Sequence, residues 1–176
     1  PATRLLWLEA PGSITMEFPE LRALVRVARD KGVLTALDNT WGAGLAFNAF
    51  DLGEGLGVDI SAHALTKFPS GGGDVLMGSV TTRDHDLHLQ LKATHMRMGW
   101  GVGLNDVEAV LRALPSLPLR YAAQDAASRA LADWWQQQPQ VSQVLHPALP
   151  GSPGHEHWQG LCTQAAGLFS VVFDER

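Results

Sequence analysis

Two short apolar runs, and the helical pattern between them, constrain the fold of this chain more than any other feature. The run RLLWLEA at residues 4–10 ends in a Pro-Gly turn, and the run VLTALD at residues 33–38 follows Gly32. Between them, apolar residues at helical spacing predict a helix that buries one stripe, made of Leu21, Leu24, Val25 and Ala28. A strand, a helix and a strand in this order are typical of a parallel sheet with right-handed crossovers.

Later segments extend this pattern. The run VDISAHAL at residues 58–65 predicts a third strand, and VLMGSV at 75–80 predicts a fourth that returns after three glycines. One helix is expected behind a cap at Asn105 and Asp106. A longer helix is expected over residues 118–138, with an inward stripe of Leu119, Ala123, Ala126, Ala130 and Trp134. The predicted fold class is therefore α/β, with a mainly parallel sheet flanked by helices.

The predicted elements divide the chain into three parts. Residues 1–117 are interpreted as the C-terminal part of a large domain, residues 118–138 as a connecting helix, and residues 139–176 as the beginning of a smaller α+β domain. The chain does not begin with Met, and it ends in GLFSVVFDER, which reads as a strand without a later partner. We therefore expect it to be truncated at both ends.

Charge and composition narrow the range of partners. The net charge of −5 and the scattered Lys and Arg argue against a nucleic-acid surface, so a small molecule is expected instead. Cys162 is the only cysteine, which excludes an intramolecular disulfide and fits a reducing compartment. No apolar run approaches the roughly 20 residues that a transmembrane helix needs. The location predicted from these features is cytoplasmic, without a membrane partner.

The stretch ISAHALTKFPSGGGD places Lys67 between a strand-like run and three glycines, at residues 71–73. An isolated lysine is most often a solvated surface residue. A lysine amine kept out of water in a pocket is instead a nucleophile that forms Schiff bases. Glycines beside it would let the backbone approach a ligand closely. This chemistry fits an aldolase-like enzyme or a pyridoxal phosphate enzyme.

Asp38 helps to choose between these two chemistries. It ends the strand VLTALD within the run DNTWGAG. A carboxylate at this position could pair with a protonated pyridine nitrogen, and that pairing makes pyridoxal phosphate an electron sink. The alternative is that Asp38 is a turn residue before Asn39. From the residues alone, both interpretations stay open.

Several motifs in the same order resemble one known family. DNTWGAGLAF followed by ALTKF is similar to the Cys/Met-metabolism pyridoxal phosphate enzymes, which have the fold of aspartate aminotransferase (fold type I). The stretches LEAPGSITMEFPEL and HPALPGSPGHEHW, and the later GLFS, resemble its cystathionine β-lyase branch. The resemblance implies that the large domain binds pyridoxal 5'-phosphate. It also implies a homo-oligomer, a dimer of dimers.

The resemblance also implies roles for individual residues. Lys67 would form the Schiff base with the cofactor and later take the substrate α-proton. Asp38 would contact the pyridine nitrogen, and Thr66 would donate its hydroxyl to the cofactor phosphate. Trp41 fits either the core or a wall of the substrate pocket; chemistry alone prefers neither, and the resemblance of the DNTW motif favours the pocket.

The implied reaction is the β-elimination of L-cystathionine to homocysteine, pyruvate and ammonia, a step of trans-sulfuration in methionine biosynthesis. Cystathionine γ-synthase, γ-lyase or cysteine desulfhydrase activity is the alternative within the family. The chain departs from the family pattern at Ala64, where a serine is frequent, and at Gly72 and Gly73, where His and Ser are usual. It also lacks the family's phosphate loop and carboxylate-binding arginine, so this fragment alone is expected to be inactive.

Two other interpretations remain. Histidines could bind a metal, but no cysteine or carboxylate pattern completes a ligand set, so no metal is predicted; the histidines concerned are His85, His88, His95, His146, His155 and His157. The chain could also be a non-catalytic interaction module that keeps the ancestral fold. Adjacent Trp134 and Trp135 would then place one indole in the core and the other at an interface.

Overall fold

In the computed structural model, which describes residues 2–174, four strands form one mixed sheet. They are β1 (Leu5–Glu9), β2 (Leu34–Asp38), β3 (Ile60–Ala64) and β4 (Gly78–Thr81). Their order in the sheet is β1-β2-β3-β4; the first three are parallel, and β4 returns antiparallel to β3. The predicted α/β class, with a mainly parallel sheet, is confirmed.

Helices connect these strands and continue the chain beyond them. They are α1 (Leu21–Asp30), α2 (His85–Met98), α3 (Leu104–Ala113), α4 (Leu117–Trp135) and α5 (His155–Gln159). A short 3₁₀ turn, Leu114–Ser116, joins α3 to α4. Strands β5 (Val141–Leu145) and β6 (Ser170–Phe173) pair antiparallel in a second, two-stranded sheet.

The crossover helix α1 covers one face of the four-stranded sheet. It buries Leu21, Val25 and Ala28, which lie on one stripe, whereas Leu24 is 37% exposed, so its predicted inward position is wrong. The buried stripe is narrower than the apolar pattern because Leu24 lies at its edge. The helix ends before Gly32, whose φ of +63° is a left-handed conformation that favours glycine.

The opposite face of the same sheet is exposed only in part, because its central residues Ala36 and Ile60 are buried. The strand register places Leu5, Trp7, Leu34 and Val80 on one face, and each is more than 40% exposed. The same register places Asp38 on this face. The candidate site therefore projects from the side of the sheet that α1 does not cover.

The long helix α4 faces the core with a stripe different from the predicted one. It buries Leu117, Tyr121, Ser128 and Ala132. The predicted inward residues Leu119, Ala123, Ala126, Ala130 and Trp134 are all exposed, Leu119 by 76%. The true stripe starts two positions earlier, which is about 200° around a helix. Apolar periodicity does not distinguish the two faces of this helix, because alanines lie on both and the buried stripe includes a tyrosine and a serine.

The predicted cap of α3 is also wrong. The helix begins at Leu104 directly after Gly103, and no side chain caps its first turn. Asp106 lies within that first turn instead, where a carboxylate interacts favourably with the helix dipole.

One hydrophobic core includes residues from both halves of the chain. Leu8 and Leu37 of the first sheet belong to the same buried cluster as Ala148 and Trp158. The boundaries at residues 117 and 138 stay a prediction. Across residues 2–174, none of the helices is long and apolar enough to cross a membrane.

A buried polar network joins α4 to the segment that follows β5. The Ser128 hydroxyl lies 3.1 Å from His146 Nε2 and donates to the Ala166 carbonyl at 2.8 Å. The backbone N–H of Ala148 donates to His146 Nδ1 at 3.2 Å. Because Nδ1 accepts, the ring proton of neutral His146 lies on Nε2 and is donated to Ser128. All three groups are thus satisfied only while His146 is neutral.

The surroundings of His146 act on its protonation. Burial lowers the pKa of His146 below its ordinary 6.5, and the positive charge of Arg129 lowers this pKa further. Asp125 and Asp133 raise the pKa of His146, but their effect is smaller than that of burial. His146 therefore favours the neutral form when the protein is folded.

We expect the free energy of unfolding to fall as the pH drops below 6.5. Unfolded His146 takes up a proton near that pH, whereas folded His146 resists protonation, so acid favours the unfolded chain. Urea unfolding at a series of pH values measures this slope. His146→Gln should make the slope shallower, whereas His88→Gln, on the exposed side of α2, should leave it unchanged. An unchanged slope in His146→Gln would contradict the assignment.

Candidate active site

A cleft of about 910 Å³ opens at the carboxyl ends of β2 and β3. Its lining includes all four residues singled out from the sequence, namely Asp38, Trp41, Thr66 and Lys67. Carboxyl ends of parallel strands are the usual ligand-binding edge of open α/β sheets. The tertiary structure thus gathers the predicted residues at the edge where such folds bind ligands.

Backbone and side-chain bonds hold the loop that carries Asp38. Asp38 is the last residue of β2, and its Oδ1 accepts a hydrogen bond from the Thr40 N–H at 2.9 Å. The Thr40 hydroxyl oxygen in turn accepts from the Ala64 N–H at 2.8 Å. The loop after β2 is therefore tied to the end of β3, three residues before Lys67. Asp38 is both a turn residue and a lining residue, so the two interpretations of its role are compatible.

Lys67 lies in a tight turn that follows β3. The Lys67 N–H donates to the Ala64 carbonyl at 3.2 Å, the Ser70 N–H to Leu65 at 3.0 Å, and the Gly71 N–H to Lys67 at 3.1 Å. The Lys67 side chain is exposed. The enclosure expected from the sequence is thus not formed by residues 2–174, and the turn positions the amine at the rim of an open cleft.

Trp41 occupies both of the positions that were considered for it. It is only 8% exposed and packs edge-on to Phe18, with ring centroids 6.5 Å apart. Its indole N–H approaches the Leu168 carbonyl at 3.4 Å, and both residues line the cleft. Trp41 therefore packs in the core and also forms part of the cleft wall.

The sequence interpretation missed two adjacent residues of α4 that contact the site loops. Arg120 Nη1 donates to the Phe68 carbonyl at 2.7 Å, directly after Lys67. The Tyr121 hydroxyl donates to the Trp41 carbonyl at 2.9 Å, and its ring meets Phe68 edge-on at 5.1 Å. The signal available in advance was that Tyr121 is the chain's only tyrosine and lies in a helix. A buried tyrosine hydroxyl usually finds a hydrogen-bond partner.

Buried titratable groups near the cleft stay uncharged. Burial raises the pKa of the Tyr121 hydroxyl, so it remains a hydrogen-bond donor at neutral pH. Burial also raises the pKa of the Cys162 thiol, which keeps it protonated and unreactive. Burial lowers the pKa of His63 below its ordinary 6.5, although the charge of Asp38 opposes this shift. The Ser61 hydroxyl lies 3.2 Å from Nε2 of His63.

The histidines form no recognisable metal centre in the part of the chain that the structure describes. No group of three or more His, Cys, Asp or Glu side chains converges there as a ligand set. His85, His88 and His95 lie on α2 and are exposed, whereas His146 is buried in the network with Ser128.

One family of enzymes matches the whole length of the chain. The sequence profile of the family described as Cys/Met metabolism PLP-dependent enzyme matches residues 1–176. The chain belongs to this family, so the resemblance found in its motifs is confirmed. Pyridoxal 5'-phosphate is the cofactor of the family.

Individual relatives agree with this assignment. The chain is 36% identical to a cystathionine beta-lyase of Escherichia coli over 178 residues, covering 100% of this chain and 44% of that relative. It is 38% identical to a putative cystathionine beta-lyase of Saccharomyces cerevisiae over 172 residues, covering 98% of this chain and 49% of that relative. The chain thus spans somewhat less than half the length of the curated relatives that it matches.

A solved structure supports the fold. The apo form of a methionine gamma lyase from Micromonospora echinospora superposes with a TM-score of 0.94 and 28% identity, over 100% of this chain and 47% of that one. This likeness confirms the predicted fold class of the pyridoxal phosphate-dependent enzymes.

The residues of the cleft fit the cofactor. An amine, a carboxylate and a hydroxyl, from Lys67, Asp38 and Thr66, line the same space, and three glycines at residues 71–73 border it. Asp38 uses Oδ1 for the Thr40 N–H, which leaves its second oxygen for another donor. Ala64 lines the same space and supplies no hydroxyl.

Gly42 limits what the loop around Asp38 tolerates. A Cβ at Gly42 would lie 2.2 Å from Asn39 Oδ1 and 3.1 Å from the Phe47 ring. Because Asn39 is only 1% exposed and follows Asp38 directly, it cannot move away without shifting that loop.

We expect Gly42→Ala to lower the free energy of unfolding by about 1–3 kcal/mol, the usual cost of overpacking. Cofactor affinity should also fall, because the Asp38 loop moves. Urea unfolding and cofactor titration measure the two effects. Gly101→Ala is the matched control, since a Cβ at Gly101 meets nothing within 4 Å. If both variants were equally stable, the Asp38 loop would accommodate the added methyl group without cost, and this prediction would be wrong.

Proposed function

We propose that the protein is a pyridoxal phosphate-dependent carbon–sulfur lyase that acts on L-cystathionine by β-elimination. The observation that carries this proposal is the convergence of Lys67, Asp38 and Thr66 in one cleft of a chain that belongs to this family. The names of the relatives at 36% and 38% identity favour the β-lyase activity. A small sulfur amino acid is the proposed substrate.

Each of the three residues has a proposed role. Lys67 would hold the cofactor through its amine, Asp38 would pair with the pyridine nitrogen, and Thr66 would donate to the phosphate. The bound cofactor withdraws electrons from the substrate α-carbon. Trp41, whose ring lines the cleft, limits the space for the substrate side chain.

Proton transfer is the chemical task of Lys67 in this proposal. Once the substrate amine has released Lys67 from the cofactor, the freed Nζ would take the proton from Cα. The Cβ–S bond would then break, and the sulfur would leave with the electron pair and take up a proton to give homocysteine. Water then completes the reaction, so cystathionine and water give homocysteine, pyruvate and ammonia. The exposed position of Lys67 leaves its amine free to reach a substrate in the cleft.

A γ-elimination is the second candidate, because the superposed structure is a methionine gamma lyase. The products separate the two reactions. The β-elimination of cystathionine yields pyruvate and homocysteine, whereas γ-elimination yields 2-oxobutyrate and cysteine. Identification of the oxoacid and the thiol by mass spectrometry decides between them.

The expected homo-oligomer and the cytoplasmic location stay predictions. Exposed apolar side chains on and after α2 are compatible with an oligomer interface, and they include Leu89, Met96, Met98, Trp100 and Val102. Trp134 is 51% exposed and Trp135 is half-buried against Phe173, so neither indole of this pair is a core residue.

In the full-length protein, we expect borohydride to fix pyridoxal phosphate on Lys67 and not on Lys31 or Lys92. Peptide mass spectrometry locates the attached group. Lys67→Ala should abolish this attachment and lower turnover by about 10²- to 10⁴-fold, because a positioned proton acceptor is lost. Lys92→Ala, on the exposed side of α2, should behave like the wild type. Without attachment to Lys67 in the wild type, the proposal fails and the non-catalytic module is favoured.

Asp38→Asn tests the second role. The variant keeps an oxygen that can accept from the Thr40 N–H, so the loop should stay in place. It loses the negative charge opposite the pyridine nitrogen, and we expect turnover to fall by about 10²- to 10³-fold, as for the loss of a preorganised electrostatic contact. Lys67 should still be labelled by borohydride.

The matched control for this variant is Asp51→Asn. Asp51 Oδ1 accepts from the Gly53 N–H at 3.1 Å, the same local geometry, but Asp51 lies outside the cleft. Turnover by Asp51→Asn should equal that of the wild type. If Asp38→Asn also retained full turnover, the carboxylate would have no role in the chemistry.

A further inference from the structure

Arg120 lines the cleft, yet its guanidinium donates its hydrogen bonds to other groups of the protein. Its Nη1 donates to the Phe68 carbonyl at 2.7 Å, and its Nη2 approaches the Pro69 carbonyl at 3.4 Å. Its Nε donates to Ser116 Oγ at 3.0 Å, and Nη2 also donates to Ala113 at 3.2 Å. Four donor contacts on the protein itself leave little for a substrate carboxylate.

These contacts join two elements. Phe68 and Pro69 continue the Lys67 turn, whereas Ala113 and Ser116 lie at the junction between α3 and α4. A planar guanidinium with donors in fixed directions can hold several carbonyl oxygens at once, which a lysine amine cannot do in the same geometry. Arg120 therefore links the Lys67 turn to the helical layer.

The glycine run beside Lys67 fits this arrangement. A Cβ at Gly71 would lie 2.7 Å from Arg120 Cζ, and the φ of Gly71 is +72°. A side chain at Gly71 would therefore collide with the guanidinium and strain the backbone. Gly71, the one glycine of the three that the family pattern also has, leaves the space that Arg120 occupies.

Tyr121, the next residue of α4, contacts the other loop of the site. Its hydroxyl donates to the Trp41 carbonyl at 2.9 Å, in the loop that follows Asp38, and the side chain is fully buried. Its ring packs edge-on to Phe68, so it contacts the Lys67 turn as well. Two neighbouring side chains of one helix thus hold the loop of Lys67 and the loop of Asp38.

We infer that Arg120 and Tyr121 are positioning residues that set the separation between Lys67 and Asp38 for the cofactor. This inference rests on the proposed function. Neither residue needs to touch the cofactor. Arg120 bonds the backbone carbonyl of Phe68, and Tyr121 bonds that of Trp41. Loss of either bond would let the loop concerned shift, and so would change the distance between the Lys67 amine and the Asp38 carboxylate.

The test measures how fast pyridoxal phosphate becomes attached to Lys67 in the full-length protein. Samples are reduced with borohydride at timed intervals, and peptide mass spectrometry locates the attached group. We expect Arg120→Gln to slow attachment by about 10- to 100-fold, the scale expected for an amine displaced by about 1 Å. Arg120→Lys should recover only part of the rate, because it restores the charge but not the fork of donors. Arg112→Gln, on the exposed side of α3, is the matched control and should match the wild type.

A second readout separates positioning from simple loss of stability. The pH at which the absorbance of the Lys67 Schiff base changes should shift in Arg120→Gln, under conditions where circular dichroism shows a folded chain. A residue that only stabilised the fold would leave this pH unchanged. The inference would be overturned if folded Arg120→Gln attached the cofactor at the wild-type rate and its Schiff-base absorbance changed at the wild-type pH.

Tyr121→Phe serves if Arg120→Gln does not fold. It keeps the ring against Phe68 and removes only the hydrogen bond to Trp41. We expect slower attachment in this variant also, and wild-type rates in both Tyr121→Phe and Arg120→Lys would overturn the inference. The proposed function fails separately, if the wild type itself shows no attachment to Lys67.

Discussion

The parallel pairing of β2 with β3 is the constraint on which the site depends. Its register places Asp38 opposite Ala62, so the carboxylate lies beside the strand that leads into Lys67. Parallel strands end at the same edge of a sheet, and this places two functional loops side by side although 28 residues separate Asp38 from Lys67 in the sequence. The Thr40 hydroxyl, bonded to the Ala64 N–H, reinforces the same junction.

Helix α4 adds a second, independent connection. Its N-terminal half contacts the loops of the site through Arg120 and Tyr121, and its C-terminal half holds the segment after β5 through Ser128 and His146. Ala166 accepts a hydrogen bond from Ser128, and the next residue, Gly167, lines the cleft. A single helix thus connects three walls of the cleft, which explains why its buried face carries polar groups rather than an unbroken apolar stripe.

Much of the fold could be predicted from local patterns. The strands around Asp38 and before Lys67, and the crossover helix α1, follow from apolar periodicity and from a glycine at the helix end. The inward face of α4 could not be predicted in the same way. Alanines on both sides of that helix give almost equal patterns, and hydrogen bonds made by Tyr121 and Ser128 with distant segments decide which side is buried.

By itself, the sequence determined the α/β class, the family and the residue types that carry the proposed chemistry, because strand periodicity and the motifs DNTW and ALTK are local properties of the chain. Only the tertiary structure decided that Lys67 is exposed at the rim of the cleft, and that Trp41 is at once core and wall. It also decided that Arg120 packs against Gly71. These features depend on contacts between residues far apart in sequence, and such contacts leave no periodic signal.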